Sequence, residues 1–295
     1  MTRAVLGIIG GSGVYDLPGL EDAREERIAS PWGEPSDALR FGRIGDTQVV
    51  FLARHGHGHR LSPSGIDYRA NIDALKRAGV TDLVSVCACG SYKEELPPGT
   101  FVLIDQIVDR TTQRAGSFFG NGCVAHVALA SPVSPVLVAR VAAAARKEKI
   151  AVHMGGTALC MEGPQFSTAA ESRTYKALGY DVVNMTCMPE ARLAREAELP
   201  YAVIAMVTDF DAWHAERAGV DIPALLAVMR ANTGTVQRLV ARLARDFPRD
   251  HEPCPIGSDT ALEHAIITAP EARNPQLLAK LDAVAGRVLS RGRVR

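Results

Sequence analysis

The sequence has no excess of charge of either sign, because its 295 residues contain 33 lysines and arginines and 33 aspartates and glutamates. Binding to nucleic acid or to an anionic membrane surface needs a basic excess, so the balance argues against both partners. No apolar run approaches the roughly 18 residues of a membrane span, and the segment at the start is too short and turn-rich for a signal peptide. Any site for an anion must therefore be local.

The six cysteines form neither a disulfide pattern nor a paired zinc motif. They are scattered, and most lie in apolar surroundings, which is typical of buried free thiols in a reducing cytosol. The pair Cys87 and Cys89 is too closely spaced for an easy disulfide or for paired zinc ligation. The sequence therefore predicts a cytoplasmic protein.

Two nucleotide-binding motifs are also missing. The glycine-rich segment 10–13 follows a short apolar strand, but the pattern G-x-G-x-x-G would need glycine at position 16, where the chain has Asp16. A Walker-type G-x-x-x-x-G-K-[ST] is absent as well. The glycines still resemble a turn in which backbone N–H groups approach an anion, with Ser12 as a hydroxyl donor. The alternative is a tight turn at a strand exit.

The composition is that of an ordinary globular protein, with 47% hydrophobic and 22% charged residues. Along the chain, short apolar segments typical of strands alternate with helical patterns. This alternation predicts an α/β fold, a single domain with a mixed, largely parallel central sheet flanked by helices. A Pro-rich segment separates a main domain, 1–246, from a linker and C-terminal helical extension, 247–295. Helical patterns cover 67–78, 134–147, 169–178, 189–197, 220–245, 259–267 and 274–290.

The strongest chemical signal is the segment 205–213, where an apolar strand ends in Asp209 and Asp211. Residues two apart on a strand point to one face, so both carboxylates can face a pocket, roughly 6.7 Å apart along the chain. Two acids in a partly dry site cannot both ionise cheaply, so one should keep its proton toward neutral pH. A protonated aspartate offers one donor and one acceptor, which suits the N7 and N6 edge of adenine. The alternative is a polar exit from strand to loop.

Arg54 and His55 follow another strand. The guanidinium fork matches phosphate geometry, and histidine can donate one more hydrogen bond. A buried arginine without a ligand or a carboxylate is very costly, so an anion site is favoured, although an exposed arginine would escape this argument. The alternation of His55, His57 and His59 also suggests a metal-dependent hydrolase. Later strand ends supply only one plausible ligand pair, so no metal is expected.

Two further segments follow strands. Phe166 is able to stack on a flat base or to lie in the core, and Ser167 has the character of a helix N-cap. Thr186 offers a hydroxyl, either to an anion or to a helix start. One pocket with an anion subsite and a base subsite accounts for these residues together with Ser12, Arg54, the Ala88 backbone and the two aspartates.

These segments together resemble the methylthioadenosine phosphorylase branch of the purine nucleoside phosphorylases. The resemblance runs in order through roughly residues 5–225, in the segments 8–13, 30–37, 52–56, 88–91, 105–112, 161–167, 183–186 and 205–213. It implies phosphorolysis: phosphate attacks C1′ as the bond to N9 lengthens, and Asp209 protonates N7 of the leaving adenine. Inorganic phosphate is then a co-substrate, and no metal or organic cofactor is implied. A preference for 6-oxopurine nucleosides and a binding protein without turnover stay open as alternatives.

The resemblance also implies roles for individual residues. Phosphate contacts are implied for Ser12, Arg54, His55, Cys87, Ala88 and Thr186. Substrate contacts are implied for Met185, Phe166, Phe210 and, from a neighbouring subunit of a homotrimer or a dimer of trimers, His126. Ser167 and Val220 fall where the family distinguishes a 5′-methylthio group from a hydroxyl. The family often has threonine at positions 12 and 87, and the thiol of Cys87 is only a weak donor.

Overall fold

The protein is described by a computed structural model that covers residues 2–11, 17–214 and 221–290. No helix in these ranges is long and apolar enough to cross a membrane. Eleven strands are present there: β1 (Val5–Gly10), β2 (Glu21–Glu26), β3 (Leu39–Ile44), β4 (Thr47–Ala53), β5 (Asp82–Ser91), β6 (Phe101–Leu103), β7 (Gln106–Asp109), β8 (Val152–Met154), β9 (Thr157–Cys160), β10 (Val182–Asn184) and β11 (Tyr201–Asp209). Seven α-helices accompany them: α1 (Tyr68–Arg77), α2 (Pro135–Lys147), α3 (Ala169–Ala177), α4 (Cys187–Glu196), α5 (Ile222–Arg245), α6 (Pro275–Lys280) and α7 (Asp282–Leu289).

The strands form one mixed sheet that branches at β5. Its main path runs β2-β3-β4-β1-β5-β10-β9-β7, and β11 joins β5 to β6, which in turn pairs with β8. The pairs β1–β4, β1–β5 and β5–β11 are parallel, as are β9–β10, β7–β9 and β6–β8. The four remaining pairs are antiparallel. The predicted α/β fold with a mixed, largely parallel sheet is confirmed.

Strand β11 shows why an uninterrupted apolar run belongs inside such a sheet. Its side chains alternate between two buried clusters: Val203 and Ala205 face the side covered by α1 and α4, and Ile204 faces the side covered by α2 and α5. Both faces of the strand are therefore dry, and every position has to be apolar. The polar residues of this strand are confined to its end.

Most helices begin at the residues that the sequence marks as caps. The side chain of Asp67 accepts a hydrogen bond from the backbone N–H of Ala70 at the start of α1. The N-cap of α3 is Thr168, so the N-cap character expected for Ser167 is wrong. Thr168 and Glu171 form a capping box, in which each side chain accepts from the other residue's N–H. These caps satisfy N–H groups that have no partner within the helix.

The C-terminal part differs from the predicted pattern. The helix expected over 259–267 is wrong: the segment holds a short 3₁₀ turn at Ser258–Thr260 and then turns. The helix expected over 274–290 is divided into α6 and α7 at Leu281, which is buried in the core beside α1 residues. The division of the chain at residue 246 stays a prediction.

His251 links the segment after α5 to the start of β5. Its ring nitrogens lie 2.8 Å from Asp82 Oδ2 and 2.7 Å from Asp259 Oδ1. These hydrogen bonds, to Asp259 and then Asp82, raise the pKa of His251 from 6.5 to about 10 although burial opposes the charge. A histidine with a raised folded-state pKa stabilises the fold fully below pH 6.5, and this stabilisation is lost as the pH rises to about 10.

We therefore expect the thermal unfolding midpoint to fall between pH 6.5 and 10, and to fall less steeply in the His251→Gln variant. The exposed His153 of β8 provides a matched control, since its replacement should leave the wild-type slope unchanged. Equal slopes for wild type and His251→Gln would contradict this assignment.

Candidate active site

Strands β1, β4, β5 and β11 run parallel, so their carboxyl ends meet at one edge of the sheet. A cavity lies at this edge, and its lining includes Gly11, Arg54 and Asp209, each at or just after a strand end. Ala88 lines it too, but β5 continues to Ser91, so the strand end expected near Ala88 lies three residues further on. Asn184, the last residue of β10, lines it as well. Open α/β sheets bind ligands at this position because the loops that follow the strands converge there.

Nine of the residues for which the sequence predicts a role in phosphate or nucleoside binding lie in the wall of this cavity: Arg54, His55, Cys87, Ala88, Phe166, Met185, Thr186, Asp209 and Asp211. His59, from the candidate metal run, lines it as well. Ser12 and Val220 lie outside the described residues. Three others are placed elsewhere. The hydroxyl of the buried Ser167 lies 3.7 Å from Met161 Sδ, Phe210 stacks on His214 with a centroid distance of 4.9 Å, and His126 is exposed on the surface of the chain.

Arg54 is buried, with 1% of the residue exposed, and it has the carboxylate that the sequence argument did not identify. Its Nε donates to Glu190 Oε2 at 2.8 Å, and its Nη2 donates to Glu190 Oε1 at 3.2 Å and to Ser85 Oγ at 2.5 Å. Nη1 donates to the carbonyl of Val86 at 3.0 Å. Burial opposes the charge, but Glu190 outweighs it, so the pKa of Arg54 is raised.

The ion pair therefore explains the burial of Arg54 without a ligand. A guanidinium has five N–H groups, and Nη1 carries two of them. One of these is used by the Val86 carbonyl, so a second Nη1 hydrogen can serve a ligand in the cavity that Arg54 lines. The local sequence gives no sign of the partner, because Glu190 is 136 residues away.

His55 is placed beside Arg54 as a neutral imidazole. Burial, followed by the charge of Arg54, lowers the pKa of His55 to about 4. Its Nδ1 lies 2.9 Å from the carbonyl of Leu61, which can only accept, so Nδ1 carries the hydrogen. Nε2 is then an acceptor. The side-chain donor expected from the sequence is not provided; Nε2 suits instead a protonated oxygen of a bound anion.

The histidine run does not form a chelating arrangement. The rings of His55 and His59 are stacked, with centroids 4.1 Å apart and planes inclined by 10°. Within the described ranges, no cluster of three or more histidine, cysteine, aspartate or glutamate side chains has the geometry to hold a metal ion. The arrangement gives no support to a hydrolytic metal centre built on His55, His57 and His59.

The thiol of Cys87 is a neutral group in this wall. Burial raises its pKa to about 12, and the nearby charge of Arg54 only partly opposes this. The thiol therefore keeps its hydrogen and is at most a weak donor.

The two aspartates are connected through the backbone. Asp209 Oδ2 accepts a hydrogen bond of 2.9 Å from the N–H of Asp211. Asp211 has a left-handed backbone conformation, with φ of 50°, which aspartate tolerates better than most residues. Its Oδ2 is buried and has no hydrogen-bond partner among the described residues. The Tyr92 hydroxyl, which also lacks a partner of regular geometry, lies within reach of this carboxyl group. A buried acceptor without a partner costs roughly 1–3 kcal/mol, so a donor on a ligand would stabilise this oxygen.

Thr208 supports Asp209 from the other side. Its Oγ lies 2.8 Å from Asp209 Oδ1 and 3.1 Å from the carbonyl oxygen of Cys89. A hydroxyl has one hydrogen, so it can donate to only one of the two. If it donates to Cys89, its oxygen can accept a hydrogen from a protonated Asp209, and if it donates to Asp209 it stabilises the carboxylate. Both protonation states of Asp209 therefore have a partner.

The cavity also has an apolar wall. Phe166 lines it with 42% of the residue exposed, so this aromatic ring is not a core residue. Leu225 and Met229, four residues apart on α5, line it too. The sequence predicts them only as part of the helix over 220–245. Ile222 and Leu226 lie on the same face of α5 as Leu225 and Met229, because all four are spaced by three or four residues. Ile222 and Leu226 are exposed, and an exposed apolar stripe of this kind commonly borders a ligand site.

Arg114 fixes the backbone around Met185. Its side chain is 1% exposed, and it donates to the carbonyls of Met185, Met188 and Glu162 at 2.6, 2.7 and 2.6 Å. It also pairs with the Glu162 carboxylate at 3.1 Å. One buried guanidinium therefore joins two segments of the cavity wall.

Known proteins resemble this chain over most of its length. The model of the phosphorylase superfamily matches residues 5–245. The S-methyl-5′-thioadenosine phosphorylases of Bradyrhizobium diazoefficiens and Cereibacter sphaeroides are 68% and 57% identical, over 98% and 97% of this chain and 99% of each relative. Among solved structures, a methylthioadenosine phosphorylase from an antarctic soil metagenomic library is 41% identical with a TM-score of 0.87, covering 96% of this chain and 99% of that one. A variant of the Schistosoma mansoni adenosine/methylthioadenosine phosphorylase, solved with methylthioadenosine, is 36% identical with a TM-score of 0.74, covering 82% and 91%.

Proposed function

Because the chain belongs to the phosphorylase superfamily and is a pentosyltransferase of the purine nucleoside phosphorylase type, we propose that it cleaves S-methyl-5′-thioadenosine with inorganic phosphate. The products would be adenine and 5-methylthioribose 1-phosphate. The names of the relatives support the substrate, and the polar groups of the cavity support it independently.

The observation that carries the proposal is the unpartnered Oδ2 of Asp211 beside Asp209 in the cavity wall. The adenine edge presents an amine at C6, which donates, next to N7, which accepts. Asp211 Oδ2 is an acceptor suited to the amine. A protonated Asp209 is a donor suited to N7 when Thr208 donates to its Oδ1, since one acid hydrogen cannot serve Thr208 and N7 together. A 6-oxopurine would place an acceptor where Asp211 also accepts, so the pair favours adenine.

Arg54, Thr186 and the neutral His55 form the proposed phosphate subsite at the other strand ends, together with Ser12, Cys87 and Ala88. Arg54 offers a remaining Nη1 hydrogen, and Thr186 offers a hydroxyl that makes no capping hydrogen bond to helix α4. Since Glu190 already balances Arg54, the subsite has little net positive charge, and His55 Nε2 can accept the hydrogen of a protonated phosphate oxygen.

In the mechanism, the protein positions both substrates and activates the leaving group. The C1′–N9 bond breaks with its electron pair moving to the purine, and the Asp209 hydrogen moves to N7. A phosphate oxygen forms the new bond to C1′ and stabilises the positive charge that develops there. Thr208 then donates to the Asp209 carboxylate. The backbone of Met185, held by Arg114, would contact the ribose hydroxyls, and Phe166 and Phe210 would lie near the base. The chemistry needs no metal or organic cofactor.

Leu225 and Met229 would provide an apolar surface for the 5′-methylthio group, with Ser167 and Val220 as specificity positions. The exposed His126 is suited to complete this subsite in a neighbouring subunit of a homotrimer, or of a dimer of trimers. All six cysteines are free and buried, which suits a reducing compartment, so we propose a cytoplasmic enzyme in methionine and purine salvage.

Adenine release from methylthioadenosine should require phosphate and should survive a metal chelator. The rate is measured across phosphate concentrations, with and without chelator, and with methylthioinosine as the competing substrate. Full-rate release in phosphate-free buffer would indicate a hydrolase and would overturn the proposal. If kcat/KM is higher for methylthioinosine than for methylthioadenosine, the preferred substrate is a 6-oxopurine nucleoside.

A further inference from the structure

The amide of Asn184 has a fixed orientation at the start of α4. Its Oδ1 accepts hydrogen bonds from the backbone N–H groups of Thr186 and Cys187, each at 3.1 Å. Both partners are donors, so the flipped amide would place its NH₂ against two N–H groups. The oxygen must therefore face the helix, and the nitrogen must point away from these two groups.

Asn184 Nδ2 makes no regular hydrogen bond. The residue is 4% exposed, and Nδ2 is a buried donor with no partner of regular geometry among the described residues. The neighbouring Cys187 thiol interacts with the amide, but sulfur is only a weak acceptor. Asn184 also lines the cavity. A buried amide hydrogen is costly when it bonds to nothing, so a ligand oxygen in the cavity is its natural acceptor.

The start of α4 cannot supply backbone donors to an anion in the usual way. The N–H groups of Thr186 and Cys187 are occupied by Asn184, and that of Met188 donates to Cys160 Sγ at 3.3 Å. Pro189 has no N–H at all. A helix start normally binds anions through these groups. Here the donors at this end must come from side chains, and Asn184 Nδ2 stands beside Thr186.

We propose that Asn184 Nδ2 donates a hydrogen bond to an oxygen of the bound phosphate, in place of the occupied backbone donors of α4. The proposal rests on the phosphorolysis proposed above. Asn184 thus has two separate tasks, since its oxygen caps the helix and its nitrogen binds the co-substrate.

Two replacements separate these tasks. In Asn184→Ser the hydroxyl can still cap the helix, because serine is a good N-cap residue, but no donor reaches the cavity. In Asn184→Asp the cap is retained and the donor is replaced by an acceptor. Asn274 is a matched control: its Oδ1 caps α6 by accepting from the N–H groups of Gln276 and Leu277, and it does not line the cavity.

We expect Asn184→Ser to raise the KM for phosphate about tenfold or more, as for the loss of a hydrogen bond to a charged group, with a change in nucleoside KM below about twofold. Asn184→Asp should raise the KM for phosphate further, because a carboxylate repels the phosphate anion. Asn274→Ser should lower the unfolding midpoint slightly and leave both KM values unchanged. If Asn184→Ser does not fold, Asn184→Asp carries the test.

An unchanged phosphate KM in both Asn184 variants would overturn the inference, and so would an increase confined to the nucleoside KM, which would assign Nδ2 to the ribose. Failure of the proposed function would give a different result, because the wild-type protein itself would then release no adenine in response to phosphate.

Discussion

Replacing Arg54 by lysine is expected to reduce kcat/KM for phosphate by about a hundredfold or more, although the positive charge is kept. Arg54 makes hydrogen bonds to Glu190, Val86 and Ser85 from one planar fork. Lysine has three donors at a single nitrogen and cannot reach these acceptors together while also serving a ligand. At least two buried acceptors lose their partners, at about 1–3 kcal/mol each, so the fold is weakened as well.

The measurement is the KM for phosphate and for the nucleoside at a temperature where the variant is folded. The phosphate KM should rise far more than the nucleoside KM. Arg140→Lys is the matched control, since Arg140 forms a 2.7 Å pair with the exposed Glu252. An exposed pair contributes at most about 1 kcal/mol, so this variant should resemble the wild type. If the KM for phosphate is unchanged in Arg54→Lys, Arg54 does not bind phosphate and its assignment to the subsite is wrong.

The carboxylate pair shows how far the sequence could predict the site. Strand spacing placed Asp209 and Asp211 on one face, and both do line the cavity. The prediction that both residues share one face of a strand is wrong, however, because β11 ends at Asp209 after a register shift. Asp211 lies in a 3₁₀ turn and is oriented by its N–H, which donates to Asp209. The residue types and their order were informative, whereas the geometry depended on a turn that a periodic pattern does not encode.

The other features that sequence patterns missed depend on distant contacts or on one atom of a side chain. Glu190 is remote in the chain from Arg54, and the role of Asn184 depends on which end of its amide faces the helix. The edge strand β2 was missed because all six of its residues are exposed, so it has no apolar alternation. The buried strand β11 and the capped helices were predictable, since burial on both faces and caps leave local signals.

The last expected result concerns the choice of base. In Asp209→Asn, the amide oxygen should face the N–H of Asp211, which needs an acceptor, as Oδ2 does in the wild type at 2.9 Å. The NH₂ group then takes the Oδ1 position, 2.8 Å from Thr208 Oγ, whose own hydrogen can donate to Cys89. One amide hydrogen is left for the cavity, and it cannot be transferred to N7 as an acid proton.

Two consequences follow for the Asp209→Asn enzyme. Loss of a general acid typically lowers the rate about 10²–10⁴-fold, so kcat for methylthioadenosine should fall within that range. An amide hydrogen can still be donated to N7 or to the O6 of a 6-oxopurine, so methylthioinosine should lose less. We expect the ratio of kcat/KM for methylthioadenosine to that for methylthioinosine to fall at least about tenfold, the size of one mismatched hydrogen bond.

Asp211 is expected to limit this shift, because in the proposed binding mode its buried Oδ2 would still accept at position 6 and disfavour O6. The double variant Asp209→Asn with Asp211→Asn replaces that acceptor with an amide and should shift the ratio further toward methylthioinosine. If the ratio is the same in wild type and both variants, Asp209 does not contact position 6 or N7. The assignment of adenine would then rest on the relatives alone, and the two carboxylates would have to be explained as part of the turn that ends β11.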